Sequence, residues 1–567
     1  MESPGLVRTV NLCLCRLVYD RLSNMDNRKY NIYFHTHTIS GIIICALLYV
    51  IFFAGSFSFF KEEISAWQKN TSYVQGRKTI KRDFDYVIDS IRQKTNVQGR
   101  DLDFFMQKHD MGAYVSLSPS NDTTLKKKVE KTKVEGKRGR GRGGDGDSMY
   151  FTYNFANHKS GDYQDTYDMG EFLYRLHFLA QLNAVPINLG VPFGYLVAGI
   201  VSFLFLFALI TGLMLHWNKI VSNFFTFRPW AKWKNIWTDL HTALGVIGFP
   251  FQFVFAVSGV VLIANSILLA PFSQYVYKGN SAALYQDLEY NDTIKYVYSY
   301  KPLNADFSLN SFLGQMDKKW NNSRIASVQI KNYGDENMHV ILTSKPLSKE
   351  SFSGTGKLIM RVKDQKILKE IAPNGYSSYV DKVKSLIYHL HFGDFGGKPL
   401  RIIFFVLGIM GCLVIISGIL IWLVARDKNN IPKHKRVFNF WTANVFMAAC
   451  LSMLPVTAFT MIALLFKQDA GQADIFHFYF YSWLILSVYF IFRRNLMVTN
   501  METLLLSVLL CLLLPLLDGL VRGNWFWKTF ATGAYDILFI DVLFLILAIL
   551  SLFVYIKIRR EQKLKHT

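Results

Sequence analysis

Four histidines occupy duplicated positions in the chain. His37-Thr38 opens an apolar run with Gly41 four residues on and Gly55 fourteen beyond that, and His241-Thr242 opens another with Gly245 and Gly259 at the same two offsets. Each run leads into a long polar stretch that ends in Leu-His-Phe, at Leu176-His177-Phe178 and at Leu390-His391-Phe392. A glycine-containing turn follows (Gly190 and Gly194; Gly393, Gly396 and Gly397). The next apolar run closes in Thr211-Gly212 and Trp217 in one case, and in Ser417-Gly418 and Trp422 in the other. The unit is helix, polar segment, histidine turn, helix, and it occurs twice. His177 to Gly212 is 35 residues and His391 to Gly418 is 27, a difference that fits an insertion around residues 184–191.

This spacing puts His37 and His241 at one face of a membrane and His177 and His391 at the other. Neutral imidazole is an axial ligand for haem iron, and two histidines from facing helices can clamp a porphyrin edge-on. Gly41, Gly55, Gly245 and Gly259 remove side chains where a flat macrocycle, or a neighbouring helix, must approach backbone. Two haems at different depths would form an electron path across the bilayer, with His37, His177, His241 and His391 as iron ligands. A single histidine at a helix end is commonly an interfacial or capping residue; the duplication, and the expense of placing ionisable groups in a bilayer, single out these four. His35, His216 and His389 lie close enough to replace a neighbour, although His35 and His37 point to different helix faces. His109, His158, His339, His434, His477 and His566 show no such pairing and are assigned to surface or packing roles.

The elements that must hold these residues are apolar helices. Of 567 residues, 51% are hydrophobic and 15% aromatic, and the mean hydropathy of +0.19 is too high for an ordinary water-soluble chain of this size. Runs long enough to cross a bilayer core fall at about 39–60, 195–215, 242–269, 402–424, 443–466, 476–492, 504–520 and 537–556, which makes eight spans. The first has no small-residue cleavage pattern after it and reads as a retained helix.

Lys plus Arg number 63 against 41 Asp plus Glu, a net charge of +22. The excess flanks the spans: Arg28 and Lys29, then Lys219, Arg228, Lys232 and Lys234, then Arg426, Lys428, Lys433, Lys435 and Arg436, then Arg493 and Arg494, then the tail from Lys557 to Lys565. By the positive-inside rule this side is cytoplasmic, so a multi-pass protein with both termini in the cytoplasm is expected, its long polar stretches facing the periplasm if the membrane is a bacterial inner membrane. The expected order is a cytoplasmic N-terminus (1–36), span 1 (37–67), an extracytoplasmic module (68–176) with a basic glycine-rich insertion (124–147), spans 2 and 3 (177–271), a second module (272–388), span 4 (389–425), a cytoplasmic loop (426–442), spans 5 to 8 (443–556) and a tail (557–567). The insertion has no aromatic residue to stack on a base, so nucleic acid is not an expected partner. Four of the six cysteines, Cys45, Cys412, Cys450 and Cys511, lie in apolar runs, and the polar segments contain none, so no disulfide framework holds them.

Gly139-x-Gly141-x-x-Gly144 matches a dinucleotide fingerprint in form only, because no strand precedes it and no apolar helix follows. There is no P-loop, no HExxH and no CxxCH for covalent haem attachment. A reductase built on this chain would draw electrons from a membrane quinol or a separate flavoprotein.

The succession His37-xxx-Gly41, Leu176-His177, Asp239-Leu240-His241-xxx-Gly245 and Leu390-His391-Phe392-Gly393, with Gly396-Gly397, Arg401 and Ser417-Gly418, resembles the PepSY-associated transmembrane proteins, which include inner-membrane ferric-siderophore reductases. The resemblance covers roughly residues 30–425. It implies a polytopic α-helical membrane protein with two α+β PepSY-like extracytoplasmic modules, two b-type haems on transmembrane histidines, and a ferric-siderophore or other ferric chelate as acceptor.

The polar segments suit such units. The second reads as a helix over 309–320 and strands near 325–331, 338–343, 357–362 and 367–371; the first reads as a helix near 84–92 and strands near 102–107, 113–117 and 149–154. Asp518, Asp536 and Asp541 lie in or beside the last apolar runs, where Arg522 can pair with Asp518. The function expected is a di-haem membrane oxidoreductase that reduces extracytoplasmic ferric iron; the other class considered is a non-enzymatic receptor or regulator whose PepSY-like modules bind a protein.

Overall fold

The computed structural model describes residues 26–124, 148–187, 189–225, 228, 233–290, 294–321, 323–347 and 352–566. The basic insertion, apart from Thr124, lies outside these residues, as do the glycine fingerprint and the first 25 residues with Cys13 and Cys15. Among the described residues, eight helices are long and apolar enough to cross a membrane: Asn27–Ser58, Phe193–His216, Asn235–Ile263, Asp394–Arg426, Lys433–Phe466, Gln472–Arg493, Leu496–Arg522 and Tyr535–Gln562. They are called here the first to eighth spans. Helix is the only open-ended element that satisfies its own backbone in lipid, and the chain is therefore a multi-pass membrane protein.

The first span starts earlier than hydropathy indicates. Asp26 caps it, its carboxylate accepting the Lys29 N–H at 2.7 Å, so the polar residues from Asn27 onward are helical and His37 lies ten residues inside the helix. The third span ends at Ile263, before the expected 269; the helix is interrupted at Ala264 and a second helix follows as Asn265–Tyr275.

Among the described residues the polar segments build one eight-stranded antiparallel sheet of order β4-β3-β2-β1-β5-β6-β7-β8. Its strands are β1 Leu102–Met106, β2 Gly112–Leu117, β3 Met149–Asn154, β4 Lys159–Asp162, β5 Ser323–Lys331, β6 His339–Pro346, β7 Gly356–Arg361 and β8 Lys366–Ile371. Each polar segment supplies four, and the two sets join where β1 pairs with β5, Leu102 opposite Ile330 and Phe104 opposite Val328. The two halves thus share a sheet as well as a core. β4, Lys-Ser-Gly-Asp, carries no apolar alternation and was not expected from the sequence.

Leu102, Phe104 and Met106 of β1 alternate inward. On β5 the inward residues Ile325 and Val328 are three apart, because a register shift between Ile325 and Ser327 changes the parity. The helices Phe84–Arg92 and Leu309–Lys319 cover this face with Phe84, Val87, Ile88 and Ile91, and with Leu309, Phe312, Leu313 and Met316. Tyr163, just after β4, turns to the membrane end instead: its hydroxyl donates to Glu171 at 2.5 Å and Arg175 lies over its ring.

The last four spans are tied to the segment that follows the first. Asp541 accepts from the indole N–H of the fully buried Trp67 at 2.9 Å. Asp536 accepts from the Ser72 hydroxyl at 2.6 Å and the Tyr73 N–H at 2.7 Å, capping the helix Tyr73–Thr79 from outside. Arg522 lies 3.5 Å from Asp518 in the same helix and donates to the carbonyls of Trp67 and Gln68 at 2.8 and 3.0 Å. Asp518 therefore has the arginine partner expected from the sequence, whereas Asp536 and Asp541 are held by neutral hydrogen-bond donors.

Candidate functional site

The four duplicated histidines come together as two ring pairs. His37 and His241 have ring centres 6.1 Å apart with the planes at 74°, and His177 and His391 have ring centres 5.9 Å apart at 41°. The His37/His241 pair is the one far from the sheet and the His177/His391 pair is near it. Along the first span, fourteen residues separate His37 from Ile51, the residue that contacts His177; at 1.5 Å per residue the two levels are roughly 21 Å apart.

In each histidine Nδ1 has a defined partner. His37 Nδ1 donates to the Ala208 carbonyl at 2.8 Å, and His241 Nδ1 donates to the Val414 carbonyl at 2.9 Å. His177 Nδ1 donates to the Ile51 carbonyl at 2.8 Å, and His391 Nδ1 lies 2.7 Å from the Ser258 hydroxyl. A carbonyl can only accept, so the proton of the first three rings is on Nδ1 and the lone pair on Nε2. An N–H held by a backbone oxygen is the arrangement that orients histidine as a metal ligand and raises its basicity.

All four bonds stay within one copy of the repeat. Residues 37 and 208 belong to the first copy, as do 177 and 51; residues 241 and 414 belong to the second, as do 391 and 258. Each copy therefore orients its own two histidines, and both ring pairs form where the copies face one another. The hydroxyl-plus-glycine signature now has a physical role. Thr211 Oγ1 donates to the carbonyls of Phe207 and Ala208 at 2.7 and 3.2 Å, and Ser417 Oγ donates to those of Leu413 and Val414 at 2.8 and 2.9 Å. Each hydroxyl thus engages the carbonyl that holds the histidine. A Cβ on Gly212 would lie 3.0 Å from His37 Cε1, and one on Gly418 would lie 3.1 Å from His241 Cε1, so glycine lets the ring reach the helix.

The four expected glycines divide. A Cβ on Gly41 or Gly245 would meet nothing within 4 Å; these positions, one turn below His37 and His241 on the same helix face, border open space. Gly55 instead lies against the near pair, where a Cβ would be 2.5 Å from His177 Nδ1. Gly259 faces Ser202, whose hydroxyl would be 3.4 Å from its Cβ, and so serves helix contact. Gly212, Gly418 and Ser258 touch the histidine rings and were not singled out as site residues.

Charged groups brace both levels. Below the far pair, the Arg228 guanidinium holds the buried Asp239 with two bonds of 2.9 Å. Around the near pair, Arg401 donates to both oxygens of the buried Glu63, at 2.9 and 3.2 Å, and to the Phe59 carbonyl at 2.8 Å. Lys69 meets Asp168 at 2.6 Å, and Glu171 meets Lys61 at 2.5 Å and Arg175 at 2.6 Å. Burial pushes the Asp168 and Glu171 carboxyls up, but the ammonium of Lys69 on one, and of Lys61 with Arg175 on the other, more than offsets it; both stay below the usual carboxylate range. Phe255 and Phe404 wall the near pair, with Phe255 6.0 Å from His391. Lys108, from the turn after β1, lies over the Phe392 ring.

Of the alternative histidines, His35 is exposed and edges onto Phe34, His389 pairs with Asp394 at 2.5 Å, and His216 ends the second span. His109 stacks on Tyr73 at 3.9 Å, a packing role. Among the described residues no group of three or more His, Cys, Asp or Glu side chains converges. The chemistry the arrangement offers is paired coordination: two imidazoles, each with Nδ1 engaged by a hydrogen-bond partner, twice.

A search of curated proteins returned no match. The family model for the PepSY-associated TM region matches residues 34–425, which span all four histidines, both copies of the repeat and the sheet. The chain belongs to the PepSY-associated TM family.

Proposed function

We propose that the chain is a di-haem b membrane oxidoreductase that passes electrons across the bacterial inner membrane to extracytoplasmic ferric iron, held by a siderophore or another chelator. The observation that carries this reading is the geometry of the two ring pairs. Two imidazole nitrogens each about 2 Å from a shared metal set their ring centres roughly 6 Å apart, which the separations of 6.1 and 5.9 Å match. The Nδ1 partners leave Nε2 for the metal, and the open positions above Gly41 and Gly245 suit a flat macrocycle. Haem supplies one-electron redox chemistry when bound.

The protein's own part is to hold, orient and insulate. His37 with His241, and His177 with His391, would hold the two haem irons. Ala208, Val414, Ile51 and Ser258 fix their ring orientation, and Phe255 and Phe404 exclude water beside the near pair. Adding one electron converts Fe(III) to Fe(II), a softer ion on which an oxygen-rich chelator loses grip. Electrons would come from a quinol or a separate flavoprotein. The basic residues flanking the spans support cytoplasmic termini, which sets the sheet on the outer side. Its two four-stranded halves, each with one covering helix, are read as paired PepSY-like modules that dock the acceptor.

The test is a pyridine haemochrome assay with oxidised and dithionite-reduced spectra on detergent-purified protein, wild type and the variants His241→Ala and His391→Ala. Near two b-haems per chain, with one lost in each variant, is expected. A folded, haem-free preparation made under haem-replete conditions would overturn the proposal and leave a protein-binding receptor as the reading.

A further inference from the structure

Ser258 breaks the symmetry of the site. Three histidines give Nδ1–H to a helix carbonyl, whereas His391 lies 2.7 Å from the Ser258 hydroxyl. The repeat shows how this arises. Ala54-Gly55 in the first copy corresponds to Ser258-Gly259 in the second. At Gly55 the missing side chain lets His177 press onto the first span, with Nδ1 2.5 Å from where a Cβ would be, and so reach the Ile51 carbonyl. At Gly259 the corresponding space belongs to Ser202, not to His391. His391 stands back from the third span and meets a side chain in place of backbone.

The Ser258 hydroxyl is itself committed. It donates to the Val254 carbonyl at 2.5 Å, which leaves its lone pairs as acceptors, and at 3% exposure no solvent competes for them. His391 Nδ1 must then be the donor, so a single side chain sets the ring's tautomer and rotation. We infer that Ser258 is a positioning residue for His391 and makes the two haem sites electronically unequal; this rests on the haem reading of the ring pairs. A carbonyl acceptor can be removed by no side-chain substitution; the Ser417 hydroxyl lies 3.5 Å from His241 Nδ1, but that nitrogen has the Val414 carbonyl at 2.9 Å as its close partner, so His391 is the ligand of the four whose short hydrogen bond is open to mutation.

The test compares wild type, Ser258→Ala and Ser258→Thr, with His391→Ala marking the near-pair component. The readouts are haem content, optical redox titration and low-temperature EPR of the oxidised protein. In Ser258→Ala the imidazole loses its acceptor and becomes a poorer donor to ferric iron. The component absent from His391→Ala should move to a higher potential, or its haem affinity should fall about tenfold or more, while the other component stays in place. Ser258→Thr, which keeps the hydroxyl, should restore it. If Ser258→Ala does not fold, Ser258→Cys, a weak acceptor of similar shape, carries the same expectation. Unchanged potentials and EPR spectra at two haems per chain would overturn the positioning role and leave the haem reading intact. A shift of the far-pair component would overturn it too. A wild-type protein without haem would overturn both.

Discussion

The far and near histidine pairs have the same ring separation and are built by different means. The far pair is symmetric: His37 and His241 both sit inside spans, both donate to a carbonyl of the span that closes their own copy, and both carbonyls also take a hydroxyl from Thr211 or Ser417. The near pair is asymmetric. His177 and His391 sit at the ends of helices outside the eight spans, one reaching backbone and the other a serine; the buried Lys69–Asp168 pair holds the cap of the His177 helix, and the Arg401–Glu63 pair ties the fourth span to the segment after the first. Duplication thus conserves a geometry most strictly where helix backbone supplies it, and lets it diverge where side chains do.

The largest expected effect tests that dependence on ion pairs. Arg401→Ala would leave Glu63 buried with, among the described residues, Lys398 at 3.9 Å as its remaining ion-pair partner. A cost of about 3 kcal/mol is expected, because breaking a buried pair strands a charge. Thermal melts should show the loss, and haem content should fall at the near pair while the far pair is retained; equal loss at both levels would break the comparison.

Glycine substitutions sharpen it in opposite directions. Gly55→Ala sets a methyl against the His177 ring and should destabilise by about 1–3 kcal/mol. Gly41→Ala meets nothing within 4 Å and should stabilise the haem-free protein by roughly 0.5–1 kcal/mol, the helix preference of alanine over glycine. Gly41→Leu should leave the apoprotein's melting temperature no lower and yet reduce haem content at the far pair. Full haem content in Gly41→Leu would mean that the space is not used by a macrocycle.

The smallest effect is the response to pH. Asp168 and Glu171 have folded-state values below the ordinary carboxylate range. Their contribution to stability is therefore complete above the unfolded values, about pH 4, and is lost as pH falls through the folded ones. Melting temperature should drop below about pH 4, and Lys69→Met should remove the part of that slope due to Asp168. A slope unchanged in Lys69→Met would show that this pair does not hold the near site.

Much of this architecture was legible because it depends on residue type at fixed spacing. The eight spans follow from apolar runs, the helices Phe84–Arg92 and Leu309–Lys319 follow from apolar periodicity, and the pairing of histidines by face follows from their repeated offsets. Seven of the eight strands were expected within three residues at each end. β4 was not, because a short polar edge strand carries no alternation. The start of the first span was also misplaced, since the Asp26 cap extends a helix through residues that hydropathy scores as loop.

By itself the sequence determined the membrane class, the duplication, and which histidines lie at which level, because these depend on hydrophobicity and periodicity along the chain. Only the tertiary structure decided how those histidines are oriented. Every residue has a carbonyl, so nothing in the sequence marks Ala208, Ile51 or Val414 as acceptors, and nothing marks Ser258 as the exception. The same holds for the seam between β1 and β5, which turns two segments more than 200 residues apart into one sheet. Hydrogen bonds to backbone and pairing between strand edges are set by which surfaces meet, and that is a property of the packed chain.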